Sequence, residues 1–65
     1  MEAKFRDLRD EAIITIFTHG ECVCYSSSNG HSEILHLSYN DDLLKELFEG
    51  EVEWYRKDPN YEEIT

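Results

Sequence analysis

Two cysteines and a histidine fall within the segment GECVCYSSSNGH, residues 20–31, and such side chains are common ligands in metal and redox sites. Only one residue separates Cys22 from Cys24, whereas zinc-binding cysteine pairs are usually separated by two to four residues. On a β-strand such a pair projects from the same side, which is poor geometry for a disulfide. A metal or redox module using Cys22 and Cys24 is therefore an alternative that the spacing disfavours, and no metal site is expected.

The serine run of the same segment raises a second kind of chemistry, because a serine beside a histidine is a nucleophile beside a base. Residues 26–28 are all serine and lead through Asn29 and Gly30 to His31. A polar run before Asn-Gly is typical of a hairpin turn. A chain of 65 residues also has little room for a core, a cleft and a cofactor together. We therefore expect no catalytic residues, no cofactor and no enzymatic activity.

The segment needs a sheet to position it, and the middle of the chain predicts one. Residues 13–18, IITIFT, are β-branched or aromatic and favour a strand over a helix. His19-Gly20 and Asn29-Gly30 predict two tight turns, since glycine supplies the positive φ that such turns require. The expected result is an antiparallel meander with strands over residues 12–18, 21–27 and 32–39.

Two-residue turns would fix the register of this meander, and with it the neighbours of both cysteines. The first hairpin would oppose Phe17 to Cys22, Ile16 to Val23 and Ile14 to Tyr25. The second would oppose Tyr25 to Ile34, Cys24 to Leu35, Val23 to His36 and Cys22 to Leu37. In this register the two cysteines fill space beside leucines.

Both faces of the predicted sheet are mostly apolar, although antiparallel sheets commonly keep one polar face in water. One face collects Ile13, Thr15, Phe17, Cys22, Cys24, Leu35, Leu37 and Tyr39. The other collects Ile14, Ile16, Val23, Tyr25, Ile34 and His36. One helix covers only one face, so we expect this second face to bind another molecule, in a homodimer or with a different partner.

Residues 40–50, NDDLLKELFEG, predict one short helix that packs on one face of the sheet. Asn40 or Asp41 would cap its N-terminus, and Gly50 would follow its last residue as the C-terminal cap. The apolar side of this helix would be formed by Leu43, Leu44, Leu47 and Phe48.

The two ends of the chain predict less regular structure. Phe5, Leu8 and Ala12 recur at i, i+3 and i+7, which allows a weak N-terminal helix as one alternative. Residues 1–11 and 58–65 are otherwise expected to be loosely ordered.

Residues 51–57, EVEWYRK, alternate in polarity and predict a fourth strand that ends before Pro59. Val52 and Trp54 would face inward from this strand. The predicted fold is thus a single small α+β domain over residues 1–65, with a three- to four-stranded antiparallel meander and one short C-terminal helix on one face.

Charge is the strongest functional signal, with fifteen acidic and six basic side chains giving a net charge of −9. Residues 41–65 alone carry nine acids against three bases. Such a surface repels nucleic acid and anionic membranes, so no direct binding to either is expected, and it attracts a basic partner. The first residues alternate in charge and predict no signal peptide, so we expect a cytoplasmic protein with reduced cysteines.

These features predict a small acidic protein that binds a basic groove of a larger protein, such as a nucleic-acid-handling enzyme, as an inhibitor or decoy. Rows of carboxylates can imitate a phosphate backbone, and aromatic side chains can anchor an interface. In composition, though in no motif, the chain resembles small acidic inhibitors that phages direct against host nucleases or polymerases, and some antitoxins; a phage protein would act in the host cytoplasm. The acidic surface would comprise Asp42, Glu46, Glu49, Glu51 and Glu53, and the aromatic anchors Trp54, Tyr55 and Tyr61.

A homo-oligomeric accessory subunit without decoy activity is the alternative hypothesis. In that case the net charge only keeps a small protein soluble. The second sheet face described above would then form the interface between copies.

Overall fold

The computed structural model describes residues 1–64 and contains five strands and one helix. The elements follow each other as β1 (Glu2–Asp7), β2 (Ile13–His19), β3 (Cys22–Ser27), β4 (Ser32–Leu37), α1 (Asp41–Lys57) and β5 (Tyr61–Ile64).

The strands form one sheet in the order β4-β3-β2-β1-β5, and every neighbouring pair is antiparallel. α1 packs across one face of this sheet. The predicted α+β class is confirmed, and so are the central meander of β2, β3 and β4 and the helix on one face. The sheet has one strand more than the upper prediction. α1 is too short and too charged to cross a membrane, and it is the one helix of residues 1–64.

The core lies between α1 and the three central strands. Phe5, Ile16 and Val23 are fully buried, one from each of those strands. The helix contributes an apolar face whose members recur with helical spacing. These are Leu44, Phe48, Val52 and Tyr55.

The N-terminal segment forms β1, so the helix that was one alternative there is wrong. Ala3, Phe5 and Asp7 alternate toward α1 with a period of two, which a strand satisfies and a helix does not. Both sides of β1 are paired, since β2 and β5 flank it.

The expectation of loosely ordered ends is also wrong, because each end contributes a strand to the sheet. Residues 61–64 form β5, which pairs with β1 from Lys4 opposite Ile64 to Asp7 opposite Tyr61. Thr65 lies outside the described residues.

α1 is longer than predicted, and this corrects two expectations. Gly50 lies in its middle and not after its end, and residues 51–57 are its last turns instead of a fourth strand. Val52 is 3% exposed and Trp54 is 57% exposed, whereas a strand would have placed both on one side. Glycine in a helix interior costs about 1 kcal/mol relative to alanine. Burial of Val52 contributes about 1.5–3 kcal/mol and outweighs that cost, and burial of Tyr55 adds to it.

The ends of α1 follow simple local chemistry. The side-chain oxygen of Asn40 accepts a hydrogen bond from the N–H of Leu43 (3.0 Å), which confirms the predicted N-terminal cap. At the other end, Asp58 has extended backbone angles, as expected for a residue that precedes a proline. Pro59 therefore stops the helix that Gly50 does not stop.

The first hairpin of the predicted meander is confirmed, with its register shifted by two residues. His19 pairs with Cys22 across a two-residue loop that begins at Gly20, so Phe17 lies opposite Cys24. Gly20 has a φ of 58°, and a glycine with positive φ at the first loop position suits a type II′ turn. Because the shift is by two, every side chain keeps its predicted face.

The second hairpin contains two one-residue changes that compensate each other. Ser27 pairs with His31 around a three-residue loop, residues 28–30, and a bulge then inserts Leu35 into β4. Cys22 therefore pairs with Leu37 and Val23 with His36 as predicted, whereas Cys24 pairs with Ile34 and Tyr25 with Glu33.

The sheet face that was expected to bind a partner is the face that α1 covers, and this corrects the expectation. The bulge has also exchanged Ile34 and Leu35, so that Ile34 points to the opposite face and is 66% exposed, while Leu35 packs against the core. The other five predicted partner-face residues lie under or against α1: Ile14, Ile16, Val23, Tyr25 and His36.

Candidate functional site

A row of carboxylates runs along the outer side of α1. Asp42, Glu46, Glu49 and Glu53 stand at i, i+4, i+7 and i+11, and all four are exposed. With a rise of 1.5 Å per residue the row spans about 16 Å, and neighbouring members are about 4.5–6 Å apart along the axis. We call these four residues the acidic row. Three of them were predicted to lie together on this helix, and Glu53 joins them because the helix continues past Gly50.

The acidic row has almost no internal ion-pair partner. Within residues 1–64, Asp42, Glu46 and Glu49 take part in no ion pair, and Glu53 approaches only Arg56, at 3.8 Å. All three arginines of the chain pair with acids outside the row: Arg6 with Glu11 and Glu62, Arg9 with Asp7, and Arg56 with Glu63.

A cleft of about 300 Å³ lies beside the acidic row, between α1 and the start of β1. Apolar side chains of Ala3, Phe48 and Val52 line it, and acids surround them. Arg56 neutralises one acid of this cleft by donating from Nε and one terminal nitrogen to Glu63 (2.8 and 3.1 Å). These hydrogen bonds lower the pKa of Glu63, which stays charged. The remaining acidic lining comes from Glu2, Glu49 and Glu53.

Glu51 was predicted to belong to the acidic surface, but its helical phase turns it toward the sheet. Its carboxylate lies 2.8 Å from Nε2 of His36, and both side chains are half-buried. Glu51 therefore connects α1 to β4 and is not one of the acids that a partner would meet first.

The three predicted aromatic anchors form one cluster, and they differ in access. Tyr55 is buried, stacks on Phe5 with ring centroids 5.2 Å apart, and meets Trp54 and Tyr61 edge-on at 4.8 Å. Burial raises the pKa of Tyr55 to about 12. Trp54 is exposed and Tyr61 is half-buried. Trp54 is thus the anchor that a partner can reach, while Tyr55 belongs to the core.

Arg9 holds this cluster to the loop between β1 and β2. It donates from Nε and a terminal nitrogen to the carboxylate of Asp7 (3.0 and 2.9 Å), and from a terminal nitrogen to the hydroxyl of Tyr61 (3.0 Å). The hydrogen bonds from Arg9 hold the pKa of Asp7 below its ordinary value. Arg9 therefore connects the β1–β2 loop to Tyr61 of the edge strand β5.

The face of the sheet opposite α1 carries a second candidate surface. Phe17 pairs with Cys24, Cys24 with Ile34, and Cys22 with Leu37, so these side chains stand side by side on the uncovered face. Ile34 and Leu37 are 66% and 60% exposed. We call Phe17, Cys22, Cys24, Ile34 and Leu37 the open-face patch.

The two cysteines of the open-face patch behave as small apolar side chains. Burial, followed by the nearness of Cys22, raises the pKa of the Cys24 thiol, which disfavours the reactive thiolate. Both cysteines are free thiols. No cluster of three or more histidine, cysteine or acidic side chains in residues 1–64 has the geometry to hold a metal ion.

Two acids of the cleft escaped the sequence-based prediction. Glu2 and Glu63 join it through β1 and β5, strands that local patterns did not indicate. Leu43 and Leu47 were predicted to face the sheet, but Leu43 is exposed and Leu47 is only half-buried, so that both line, with Trp54, the side of α1 next to the acidic row. The signal for this was the helical period continuing from Phe48 through Val52 to Tyr55.

Comparison with known proteins gives no matching family model, no matching curated protein and no matching solved structure, so the function must be argued from these surfaces alone.

Proposed function

We propose that this protein is a small acidic protein-binding protein whose acidic row occupies a basic groove of a larger protein. The observation that carries the proposal is that Asp42, Glu46 and Glu49 have no ion-pair partner in residues 1–64 while all three arginines are committed elsewhere. Carboxylates that have no ion-pair partner within residues 1–64 attract an approaching cation with their whole negative charge.

The spacing of the row favours a partner that handles nucleic acid. Regular negative charges on a rigid rod are what such proteins recognise when their lysines and arginines replace the counterions of a phosphate backbone. A bound decoy would exclude the nucleic acid, and the protein would then act as an inhibitor. In this proposal the protein itself does not bind nucleic acid, performs no catalysis and needs no cofactor.

The cytoplasm is the compartment that goes with this proposal. Cys22 and Cys24 are both thiols on a partly exposed face, and reducing compartments preserve thiols. A phage-encoded protein of this kind would act in the cytoplasm of the host. The acidic composition resembles that of small inhibitors encoded by phages.

The carboxylates of the row can be tested by charge reversal with a matched control. Glu46→Lys with Glu49→Lys reverses two charges of the row and spares Asp42, which stabilises the first turn of α1. As a control, the sheet double variant, Glu21→Lys with Glu33→Lys, makes the same change in net charge at two other exposed positions, the β2–β3 loop and β4.

Immobilised wild-type protein is expected to retain a nucleic-acid-handling protein from a lysate, to release it at moderate salt and to inhibit it in solution. The helix double variant should lose retention and inhibition, while the sheet double variant should keep both. Equal behaviour of the two double variants would contradict the proposal, as would retention that ignores salt.

A homo-oligomeric accessory subunit is the second candidate, and the open-face patch favours it. The patch is uncharged, contains two strongly exposed aliphatic side chains, Ile34 and Leu37, and lies on the side of the sheet away from α1. Two copies could join through this face with their acidic rows pointing outward. The two candidates use different surfaces and are therefore compatible.

A further inference from the structure

A second stripe of residues runs beside the acidic row on α1. Leu43, Leu47, Gly50 and Trp54 stand at i, i+4, i+7 and i+11, each one residue after a member of the row. Leu43 and Trp54 are exposed, and Leu47 is half-buried. We call these four residues the apolar stripe. An aliphatic and aromatic stripe of this length on a water-facing side of a helix is a mark of an interaction surface.

Gly50 makes a notch in the middle of this stripe. Among residues 1–64, no atom beyond the local helix lies within 4 Å of the position that a Cβ on Gly50 would take, and its φ is not in the left-handed region. Neither packing nor backbone conformation within this chain therefore requires glycine, although glycine weakens a helix relative to alanine. A missing side chain between Leu47 and Trp54 lets a second backbone approach α1 closely.

The charge beside the stripe decides what kind of element fits there. A second copy of α1 would bring two acidic rows together, and like charges across an interface are unfavourable. A helix with an apolar face and a flank of lysines or arginines would instead satisfy both the stripe and the row. The stripe spans about 16 Å, which corresponds to three turns of such a helix.

We propose that the apolar stripe and the acidic row together bind a basic amphipathic helix, whose backbone passes close to α1 at Gly50. This inference rests on the proposed function and names the chemistry of the partner at the same site. Trp54 would pack on the apolar face of the bound helix, and Glu46 and Glu49 would pair with its basic flank.

Trp54 is the single tryptophan of the chain, so its fluorescence reports the event directly. The probe is a synthetic helical peptide of about 16 residues, made of leucine, alanine and lysine, with the leucines along one face and the lysines beside them. Its control is a peptide of identical composition whose order destroys the apolar face. At physiological ionic strength the amphipathic peptide should shift Trp54 emission to the blue and should bind at least about tenfold more tightly than the control.

Calorimetric titration of variants separates the stripe from the row. Gly50→Gln fills the notch with a good helix former. It should lower the affinity for the amphipathic peptide by about tenfold without lowering the Tm of the protein. Lys45→Gln, at an exposed position of α1 outside both sets, should leave its affinity nearly unchanged. The double variant Glu46→Lys with Glu49→Lys should bind both peptides more weakly than wild type.

Two outcomes would contradict the inference, and they are distinguishable. If both peptides bind alike, or neither binds, and Gly50→Gln changes nothing while partner retention still depends on Glu46 and Glu49, the inference is wrong and the proposed function stands. If the helix double variant changes neither peptide binding nor partner retention, the proposed function is wrong and the inference falls with it.

Discussion

Asp7 is the one buried carboxylate in residues 1–64, and the fold surrounds it with donors. Arg9 supplies its backbone N–H and two side-chain nitrogens, all within 3.0 Å. The same arginine lies over the ring of Tyr61, 5.5 Å from its centroid. A carboxylate at the end of β1 thus connects, through Arg9, to the last strand, β5. A sequence of alternating charges at this point does not identify such a group, because burial depends on where β5 lies.

We expect the contribution of Asp7 to stability to disappear in acid. Its pKa in the folded protein is lowered by the hydrogen bonds from Arg9, so the stabilisation is complete above the unfolded pKa and is lost as pH falls through the folded pKa. Asp7→Asn should therefore lower Tm at neutral pH, and the difference from wild type should shrink below about pH 4.

Thermal melts monitored by circular dichroism between acidic and neutral pH measure this difference. Glu21→Gln, which removes an exposed carboxylate that makes no ion pair in residues 1–64, serves as the control and should leave Tm unchanged. A Tm difference for Asp7→Asn that is the same at every pH would contradict the prediction.

At the same scale, the interpretation of the two cysteines came from spacing alone. A separation of one residue on a strand places both on one side, and both do lie on one face of β3, with Cys22 opposite Leu37 as predicted. The predicted neighbour of Cys24 was wrong because the bulge at Leu35 changes the pairing there. Side-chain direction follows from local periodicity, but a bulge depends on how loop and sheet fit together.

At the scale of elements, α1 shows what short-range rules decide and what they miss. Its N-cap was predictable because Asn40 acts on the N–H groups of its own first turn. Its length was not, because Gly50 is a frequent stop signal and EVEWYRK alternates like a strand. Burial of Val52 and Tyr55 against the sheet decides in favour of the helix, and that contact is long-range. β1 and β5 were missed for the same reason, since each is stabilised by the other.

Removal of the N-cap should weaken α1 by a measurable amount. Asn40→Ala leaves the N–H of Leu43 without its side-chain acceptor, so we expect a loss of about 1 kcal/mol in the free energy of unfolding. For a domain of this size that corresponds to about 4–8 °C in Tm. Asn40→Ser keeps an acceptor and should restore most of the loss; equal Tm values for alanine and asparagine at this position would show that the cap contributes nothing.

At the scale of the whole molecule, the acidic row and the open-face patch lie on opposite sides of the sheet. α1 and its carboxylates lie on one side, and the open-face patch lies on the other, with Lys4 and Arg6 on the same face in β1. The sequence predicted two apolar faces and a single covering helix, and that part of the reasoning is confirmed. Which face the helix covers was predicted wrongly, because both faces offered similar apolar side chains and the choice depends on the crossing path of α1.

Self-association through the open-face patch should respond to salt in the opposite direction from binding by the acidic row. Two chains of charge −9 repel each other, so added salt should strengthen a homodimer and weaken a complex with a basic partner. Light scattering on a chromatographic column should give twice the monomer mass of 7.7 kDa at high protein concentration.

Ile34→Lys should shift this mass to that of the monomer without lowering Tm, because Ile34 is already mostly exposed. Leu43→Lys, a matched change on the opposite side of the molecule, should leave the mass unchanged. A wild-type mass of 7.7 kDa at every concentration and salt would contradict the homodimer.

The pairing of β1 with β5 also determines when the protein can finish folding during its synthesis. Arg6 and its partner Glu62 are 56 residues apart, so at about 5–20 residues per second the ribosome needs roughly 3–11 s to supply the second strand after the first. Through that interval the outer edge of β1 has no neighbour and offers its backbone to any other nascent chain. A chain truncated before Tyr61 would lack β5, so the outer edge of β1 would stay unpaired. We expect such a chain to accumulate as aggregate.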